Sequence, residues 1–91
     1  MEDFNGKVAV ITGGASGVGR SLAFALGRIG AKIAIGDVDG RAMEQVSLDL
    51  EAQGVEAIVE RCDVTSMDSL NALADAATDK LGGLDLVFAN A

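Results

Sequence analysis

Near its start the chain reads Thr12-Gly13-Gly14-Ala15-Ser16-Gly17-Val18-Gly19. An apolar run at residues 7–12 leads into this stretch, and apolar residues at helical spacing follow it. Glycines between a strand and a helix permit a tight turn, a close approach of the backbone to a pyrophosphate, and close packing of helix on strand. The stretch therefore predicts a phosphate-binding turn, with turn geometry alone as the alternative. A P-loop is excluded because no Gly-Lys-Ser/Thr follows the glycines.

Four apolar runs, rich in Val and Ile, alternate with three helical patterns that each end at a glycine. Strands are predicted at about residues 7–12, 31–36, 55–62 and 84–89. Helices are predicted at about residues 17–29, 40–53 and 66–81. Thr65 and Asp68 are expected to form a capping box at the start of the third helix.

This alternation predicts an α/β fold with the order βαβαβαβ. Right-handed crossovers and a glycine turn after the first strand favour a three-layer, doubly wound parallel sheet of the Rossmann type, with strand order 3-2-1-4. Residues 1–91 are interpreted as one domain, or as the N-terminal half of one.

Composition excludes several classes of protein. The 14 acidic residues outnumber the 7 basic ones, giving a net charge of -7 that opposes nucleic-acid binding. One Cys and no His leave no internal disulfide and no familiar zinc-ligand set. Cys62 is expected to be a buried, unreactive thiol. Without a basic signal-peptide region or a long apolar run, we expect a cytoplasmic chain that does not contact a membrane.

Asp37, at the end of the second predicted strand, is the candidate ligand for an adenine ribose. It follows the glycines by about 20 residues, the spacing at which a carboxylate accepts from both ribose hydroxyls. Each unit of charge on a 2′-phosphate about 5 Å away would cost roughly 3 kcal/mol at an effective dielectric of about 20. NAD is therefore favoured over NADP. The alternative is that Asp37 or Asp39 merely caps the second helix, although Asp39 can cap while Asp37 binds.

Three segments together resemble the short-chain dehydrogenase/reductase family. They are residues 6–19, with the spacing Gly-x-x-x-Gly-x-Gly after Thr12; residues 62–65, Cys-Asp-Val-Thr; and residues 84–91, which match the strand that enters the family's Asn-Asn-Ala-Gly motif. The resemblance covers residues 6–91 and implies an NAD(P)-dependent oxidoreductase, active on a carbonyl or secondary alcohol and assembled as a homo-oligomer.

The resemblance also assigns roles to individual residues. It implies that Ser16, Gly17, Val18 and Gly19 face the phosphates and the adjoining ribose, and that Asp37 takes the adenosine ribose. Gly13, in the glycine turn, is also predicted to be a cofactor-binding residue. Val38 and the Val64 backbone would contact the adenine, and the Asp63 carboxylate would accept a hydrogen bond from its amine. Asn90 and Ala91 would line the cofactor. Simpler alternatives are a capping role for Asp63, a core role for Val38 and a structural role for Asn90.

Two departures from the family pattern matter. Ala89 stands where the motif usually has its first Asn, and the printed chain stops before the motif's final Gly. The family's catalytic Ser, its Tyr-x-x-x-Lys pair and its relay Asn come later, and this chain contains no Tyr. No catalytic residue is therefore assigned. The chain alone is expected to be inactive, weakly stable and prone to associate through its apolar fourth strand.

Two other functions stay open from the residues alone. One is a non-catalytic dinucleotide-binding module or pseudoenzyme that needs nothing beyond this chain. The other is part of an S-adenosylmethionine-dependent methyltransferase, against which the glycine spacing argues.

Overall fold

The computed structural model describes residues 4–90, in which helices alternate with strands throughout. The elements in chain order are β1 (Val8–Thr12), α1 (Gly17–Arg28), β2 (Lys32–Asp37), α2 (Gly40–Ala52), β3 (Ala57–Arg61), α3 (Met67–Leu81) and β4 (Leu86–Ala89). All strand pairs are parallel, and the order across the sheet is β3-β2-β1-β4. The predicted fold class and strand order are confirmed.

The sheet is apolar on both faces, which explains why its central strands read as uninterrupted hydrophobic runs. Successive side chains of a strand point to opposite faces. On one face Ile11, Ile33 and Ile35 pack with α1 and α2. On the other face Val10 and Ala34 pack with α3. All five residues of β1 are buried, so the strand that enters the glycine turn is fixed on both sides.

Asp85 sets the position of β4 against β1. Its backbone N–H donates to the Val8 carbonyl oxygen at 2.9 Å, and its carboxylate Oδ2 accepts from the Val8 N–H at 2.9 Å. The Asp85 side chain thus gives an acceptor to the Val8 N–H, at the start of β1. As a result, Thr12 pairs with Ala89, and the two strands end side by side.

Helix caps account for one correction to the sequence prediction. Ser66, not Thr65, caps α3, and its hydroxyl accepts from the Ser69 N–H at 3.2 Å. Thr65 instead donates its hydroxyl to Asp63 at 2.6 Å. The capping-box pattern failed because two hydroxyl residues are adjacent, and the one that precedes the helix directly has the cap geometry. Asp39 does cap α2, as expected, by accepting from the Ala42 N–H.

Candidate functional site

Two adjoining grooves open at the carboxyl ends of the strands, beside the point where the strand order reverses. Ligands bind at such a point in open parallel sheets. The loop groove, of about 410 Å³, is lined by Gly13, Ser16, Gly17, Val18, Asp37 and Asn90. The strand-end groove, of about 280 Å³, is lined by Gly13, Asp37, Val38, Cys62, Asp63, Val64 and Asn90.

The grooves thus bring together nine of the eleven residues predicted to bind the cofactor. Gly13, Asp37 and Asn90 line both grooves and mark the boundary between them. Gly19 is buried behind the loop groove and lines neither. Ala91 lies outside the described residues.

The glycines of the loop are required for two different reasons. Gly13 has φ +65°, and a Cβ there would collide with the Asn90 carbonyl oxygen. A Cβ on Gly19 would collide with the Gly13 carbonyl oxygen. Gly17 also has a left-handed φ, +57°, but a Cβ there would meet nothing within 4 Å. Packing therefore explains Gly13 and Gly19, whereas the left-handed φ explains Gly17, whose missing side chain also leaves space open at the loop groove.

Within the described part of the chain, the N–H groups that open α1 have no hydrogen-bond partner, and they lie beside this open space. Ser16 is the N-cap residue, with extended backbone (φ −151°, ψ 166°), yet its side chain makes no capping hydrogen bond. The first turn holds no acidic residue that would neutralise the positive end of the helix dipole. Ser16, Gly17 and Val18 are exposed, Val18 to 76%, so side chains of residues 4–90 leave the turn open to solvent. Such an uncapped N-terminus is suited to an anion.

Asp37 places its carboxylate between the two grooves. Oδ1 accepts from the backbone N–H groups of Val38 at 2.7 Å and Asp39 at 3.3 Å. Oδ2 accepts from the Ala15 N–H at 3.1 Å. A carboxylate has about four acceptor positions, so within residues 4–90 one position on Oδ2 stays open. The group can therefore accept a further hydrogen bond without losing those it has.

Asp63 presents a second carboxylate at the strand-end groove. Its Oδ1 accepts from the Thr65 hydroxyl at 2.6 Å and from the Thr65 N–H at 2.9 Å. The hydroxyl bond and then the N–H bond of Thr65 lower the pKa of Asp63, with a smaller contribution from the Arg61 charge, and together they outweigh the opposing effect of desolvation. The carboxylate is therefore an acceptor only. Val38 and Val64, 56% and 47% exposed, add apolar surface to the same groove.

Asn90 and Thr12 hold the end of β4 against the loop. Asn90 Nδ2 donates to the Gly13 carbonyl oxygen at 3.2 Å, and the Asn90 N–H donates to Thr12 Oγ1 at 3.2 Å. Thr12 Oγ1 in turn donates to the Phe88 carbonyl oxygen at 3.5 Å. Sequence reasoning assigned no role to Thr12; its hydroxyl at the end of an otherwise apolar strand was the available signal.

Cys62 lies on the floor of the strand-end groove, 2% exposed. Burial raises its pKa, and the charges of Asp63 and Glu60 raise it further, so the thiol is protonated and poorly nucleophilic, as expected. Among residues 4–90 no group of three His, Cys, Asp or Glu side chains could hold a metal ion. Nor does any helix in this range have the length and apolarity to cross a membrane.

Comparison with known proteins identifies similar chains. A family model described as short chain dehydrogenase matches residues 7–91. The 7alpha-hydroxysteroid dehydrogenase of Escherichia coli strain K12 is 38% identical over 87 residues, covering 96% of this chain and 34% of that protein. The cis-4-hydroxycyclohexanecarboxylate dehydrogenase of Sinomonas cyclohexanicum is 43% identical over 90 residues, covering 99% of this chain and 36% of that protein.

Solved structures agree with this similarity. A short chain dehydrogenase/reductase from Burkholderia phymatum, crystallised in complex with NAD, superposes with a TM-score of 0.92 at 42% identity. The match covers 96% of this chain and 31% of that one. The chain therefore spans about a third of the length of the relatives it matches.

Proposed function

Because this chain belongs to the short-chain dehydrogenase family, we propose that it is the dinucleotide-binding part of an NAD-dependent oxidoreductase. The proposed reaction of the full protein transfers a hydride between the nicotinamide cofactor and a carbonyl or secondary alcohol. A chain without Tyr cannot fill the tyrosine role of the Tyr-x-x-x-Lys pair. We therefore assign binding and orientation of the cofactor, and no catalytic step, to the residues of this chain.

The loop groove is the proposed pyrophosphate site. The N–H groups of Gly17, Val18 and Gly19 open α1 and would donate to phosphate oxygens. The Ser16 hydroxyl makes no capping bond and is free to do the same. Gly17 supports this assignment because its missing side chain leaves open the space a phosphate would need.

The observation that carries the proposal is the position of the Asp37 carboxylate, which borders both grooves and retains an open acceptor position on Oδ2. A ribose diol donates two hydrogen bonds. One would take the open position, and the other would displace the longest existing bond, from the Asp39 N–H at 3.3 Å. Asp37 is thus suited to the ribose that joins a pyrophosphate to an adenine.

The same carboxylate disfavours a 2′-phosphate. Within residues 4–90, neither groove is lined by a Lys or an Arg that could offset the repulsion. Each unit of phosphate charge about 5 Å from the carboxylate costs roughly 3 kcal/mol at an effective dielectric of about 20, and salt reduces that value. We therefore propose NAD rather than NADP as the cofactor.

The strand-end groove is the proposed adenine site. The ionised Asp63 carboxylate has an Oδ2 that makes no hydrogen bond within the described part of the chain and would accept from the adenine amine. Val38 and the backbone and side chain of Val64 would contact the ring. Asn90 would line the cofactor while supporting the loop, and Ala91 is proposed to do the same.

When bound, NAD supplies the hydride chemistry, since its nicotinamide ring accepts and returns the hydride. The contribution of this chain is to hold the adenosine diphosphate portion, which fixes where the ring projects. A cytoplasmic location and homo-oligomeric assembly of the full protein stay predictions.

Calorimetric titration of the purified chain with NAD, NADP and S-adenosylmethionine tests this function. We expect NAD to bind at least about tenfold more tightly than NADP. Half of the repulsion of roughly 3 kcal/mol for one unit of phosphate charge is enough for a tenfold difference in affinity. In Asp37→Asn that preference should fall, whereas Asp39→Asn, which removes a charge that lines neither groove, should preserve it. Equal affinity for NAD and NADP would refute the assignment of Asp37, and tighter binding of S-adenosylmethionine would favour the methyltransferase alternative.

A further inference from the structure

The centre of the glycine loop is bound to β2 by a side chain. Backbone bonding starts at Gly13, whose N–H donates to the Gly36 carbonyl oxygen at 2.7 Å. Two residues further on, the Ala15 N–H donates to Asp37 Oδ2 at 3.1 Å, across 22 positions of sequence. Within residues 4–90, Asp37 is the one side chain that accepts from an N–H of residues 13–16.

We propose that Asp37 is a positioning residue for the glycine loop as well as a ligand of the ribose, and that it keeps the loop in its phosphate-binding shape before any cofactor arrives. The binding consequence rests on the proposed function, whereas the loop-holding role does not. The proposal joins two parts of the site that sequence reasoning treats as independent: the donors of α1 and the carboxylate of β2.

The chemistry of the loop explains why such an anchor is needed. Gly13 and Gly14 have no side chain, and the side chain of Ser16 makes no capping bond. Glycine-rich backbone gains the most conformational entropy when it is released. The methyl group of Ala15 is buried against the core, so the N–H beside it loses solvent and requires an acceptor. The carboxylate meets this requirement and fixes the segment from which α1 begins.

The proposal has a consequence for cofactor specificity. A substitution at Asp37 made to admit NADP would remove the repulsion of the 2′-phosphate, but it would also release the Ala15 N–H. Pyrophosphate binding would then weaken for every dinucleotide. A substitution of Asp37 that changes the preference from NAD to NADP should therefore weaken dinucleotide binding, unless the new side chain still accepts a hydrogen bond from the Ala15 N–H.

Amide hydrogen exchange of the ligand-free chain, followed by NMR, tests the anchor directly. The variants are Asp37→Ser, which is too short to reach Ala15; Asp37→Asn, which keeps an acceptor oxygen; and Asp39→Ser as the matched control. The measured quantity is the exchange rate of Ala15 relative to that of Ile35 in the core of β2, so a general loss of stability cancels. We expect the ratio to rise by about tenfold in Asp37→Ser, near the value of one hydrogen bond, and by less in Asp37→Asn. An unchanged ratio in Asp37→Ser would overturn the proposal.

A ligand without ribose hydroxyls separates positioning from direct ribose contact. The probe is 2′,3′-dideoxy-ADP, which retains the adenine and the pyrophosphate. Asp37→Ser and Asp37→Asn remove the same charge, so their comparison isolates the acceptor. We expect Asp37→Ser to bind the probe about threefold to tenfold more weakly than Asp37→Asn, the range for one hydrogen bond. Equal affinities would contradict the proposal. Should wild-type chain bind neither NAD nor the probe, the proposed function fails, while the exchange ratio still decides whether Asp37 holds the loop.

Discussion

Two kinds of glycine occupy the loop that precedes α1. Gly13 and Gly19 are small because backbone atoms of the protein lie where their side chains would be. Gly17 is small although nothing in the protein competes for that space. The left-handed φ of Gly17 by itself favours glycine, and the absent side chain in addition leaves space at the loop groove that the proposed phosphate would occupy.

Substitution of these glycines by Ala should separate stability from binding. For Gly13→Ala, the positive φ and the collision with the Asn90 carbonyl oxygen should lower the free energy of unfolding by about 2 to 5 kcal/mol. For Gly17→Ala, the positive φ alone should cost about 1 to 2 kcal/mol, and the new methyl group should weaken NAD binding by about tenfold or more. Urea denaturation and calorimetry measure the two quantities. Unchanged NAD affinity in folded Gly17→Ala would argue against phosphate binding at this turn.

At the same scale, Asp63 should select the purine. Its carboxylate only accepts, so it pairs with the amine of adenine and repels the carbonyl oxygen of hypoxanthine. We expect NAD to bind about tenfold or more tightly than nicotinamide hypoxanthine dinucleotide, because the analogue leaves the carboxylate unpaired. In Asp63→Asn the amide can donate, and the preference should approach one. A preference that survives Asp63→Asn would place the adenine elsewhere.

The pH dependence of this preference follows from the lowered pKa of Asp63. The hydrogen bonds from Thr65 favour the ionised form of Asp63 in the folded chain. They therefore stabilise the fold at any pH above the pKa of Asp63 in the unfolded chain, about 3.9. That effect is lost as the pH falls through the lower, folded pKa. Preference for NAD should therefore persist from neutral pH to about pH 4. In Thr65→Ala, which removes the first cause of the shift, the loss should begin at a higher pH.

At the scale of the elements, the adjacent hydroxyl residues Thr65 and Ser66 have separate roles. Ser66 caps α3, whereas Thr65 orients the Asp63 carboxylate. We expect Ser66→Ala to lower the free energy of unfolding by about 1 kcal/mol and to leave NAD affinity unchanged. Thr65→Ala should retain the cap but weaken NAD binding. Thermal denaturation and calorimetry of the two variants provide matched controls, and a reversed pattern would show that Thr65 is the cap after all.

The elements also show how far the sequence predicts this molecule. The order βαβαβαβ and the 3-2-1-4 sheet follow from hydrophobic periodicity, glycine stops and the handedness of crossovers, all of which are local or general rules. The bond from Ala15 to Asp37 and that from Asn90 to Gly13 could not be predicted, because they join backbone atoms to side chains 22 and 77 positions away. Such contacts depend on how closely strand ends approach, which periodicity does not encode. The prediction that Thr65 caps α3 was wrong for a smaller reason, because Ser66 is an adjacent hydroxyl residue and directly precedes the helix.

At the scale of the whole molecule, helices cover both faces of the sheet, and β4 forms one of its two edges within residues 4–90. Gly36 lets α3 lie so close that a Cβ there would be 2.5 Å from Leu73 Cδ2, which seals the centre of the sheet. β4 pairs only with β1 within residues 4–90, and its Val87 is 60% exposed. The expected tendency of the chain to associate through this strand stays a prediction. The site nevertheless depends on β4 staying in register, since Asn90 supports the loop from its end.

Cys62 reports on the integrity of the whole fold, because its thiol is buried against α3 and lines the proposed adenine site. With 2% exposure and a raised pKa, it should react with iodoacetamide only when the chain opens. Alkylation should then be about a thousandfold slower than in urea-unfolded chain if the opening costs roughly 4 kcal/mol. Saturating NAD at about 100 times its Kd should slow the reaction by about another hundredfold, because the ligand stabilises only the closed state.

The thiol also predicts a loss of stability in alkali. The pKa of Cys62 is higher in the folded chain than in the unfolded chain. The contribution of the protonated thiol to the free energy of unfolding is therefore fully present below the unfolded pKa of about 8.5 and is lost as the pH rises through the folded pKa. The melting temperature should therefore fall above about pH 8.5, and the fall should be smaller in Cys62→Ala, which retains every other titrating group.

Alkylation of native chain at the unfolded rate would mean that the α3 side of the sheet is open in solution. If NAD binds by calorimetry but does not slow the alkylation of Cys62, the cofactor lies away from the strand-end groove.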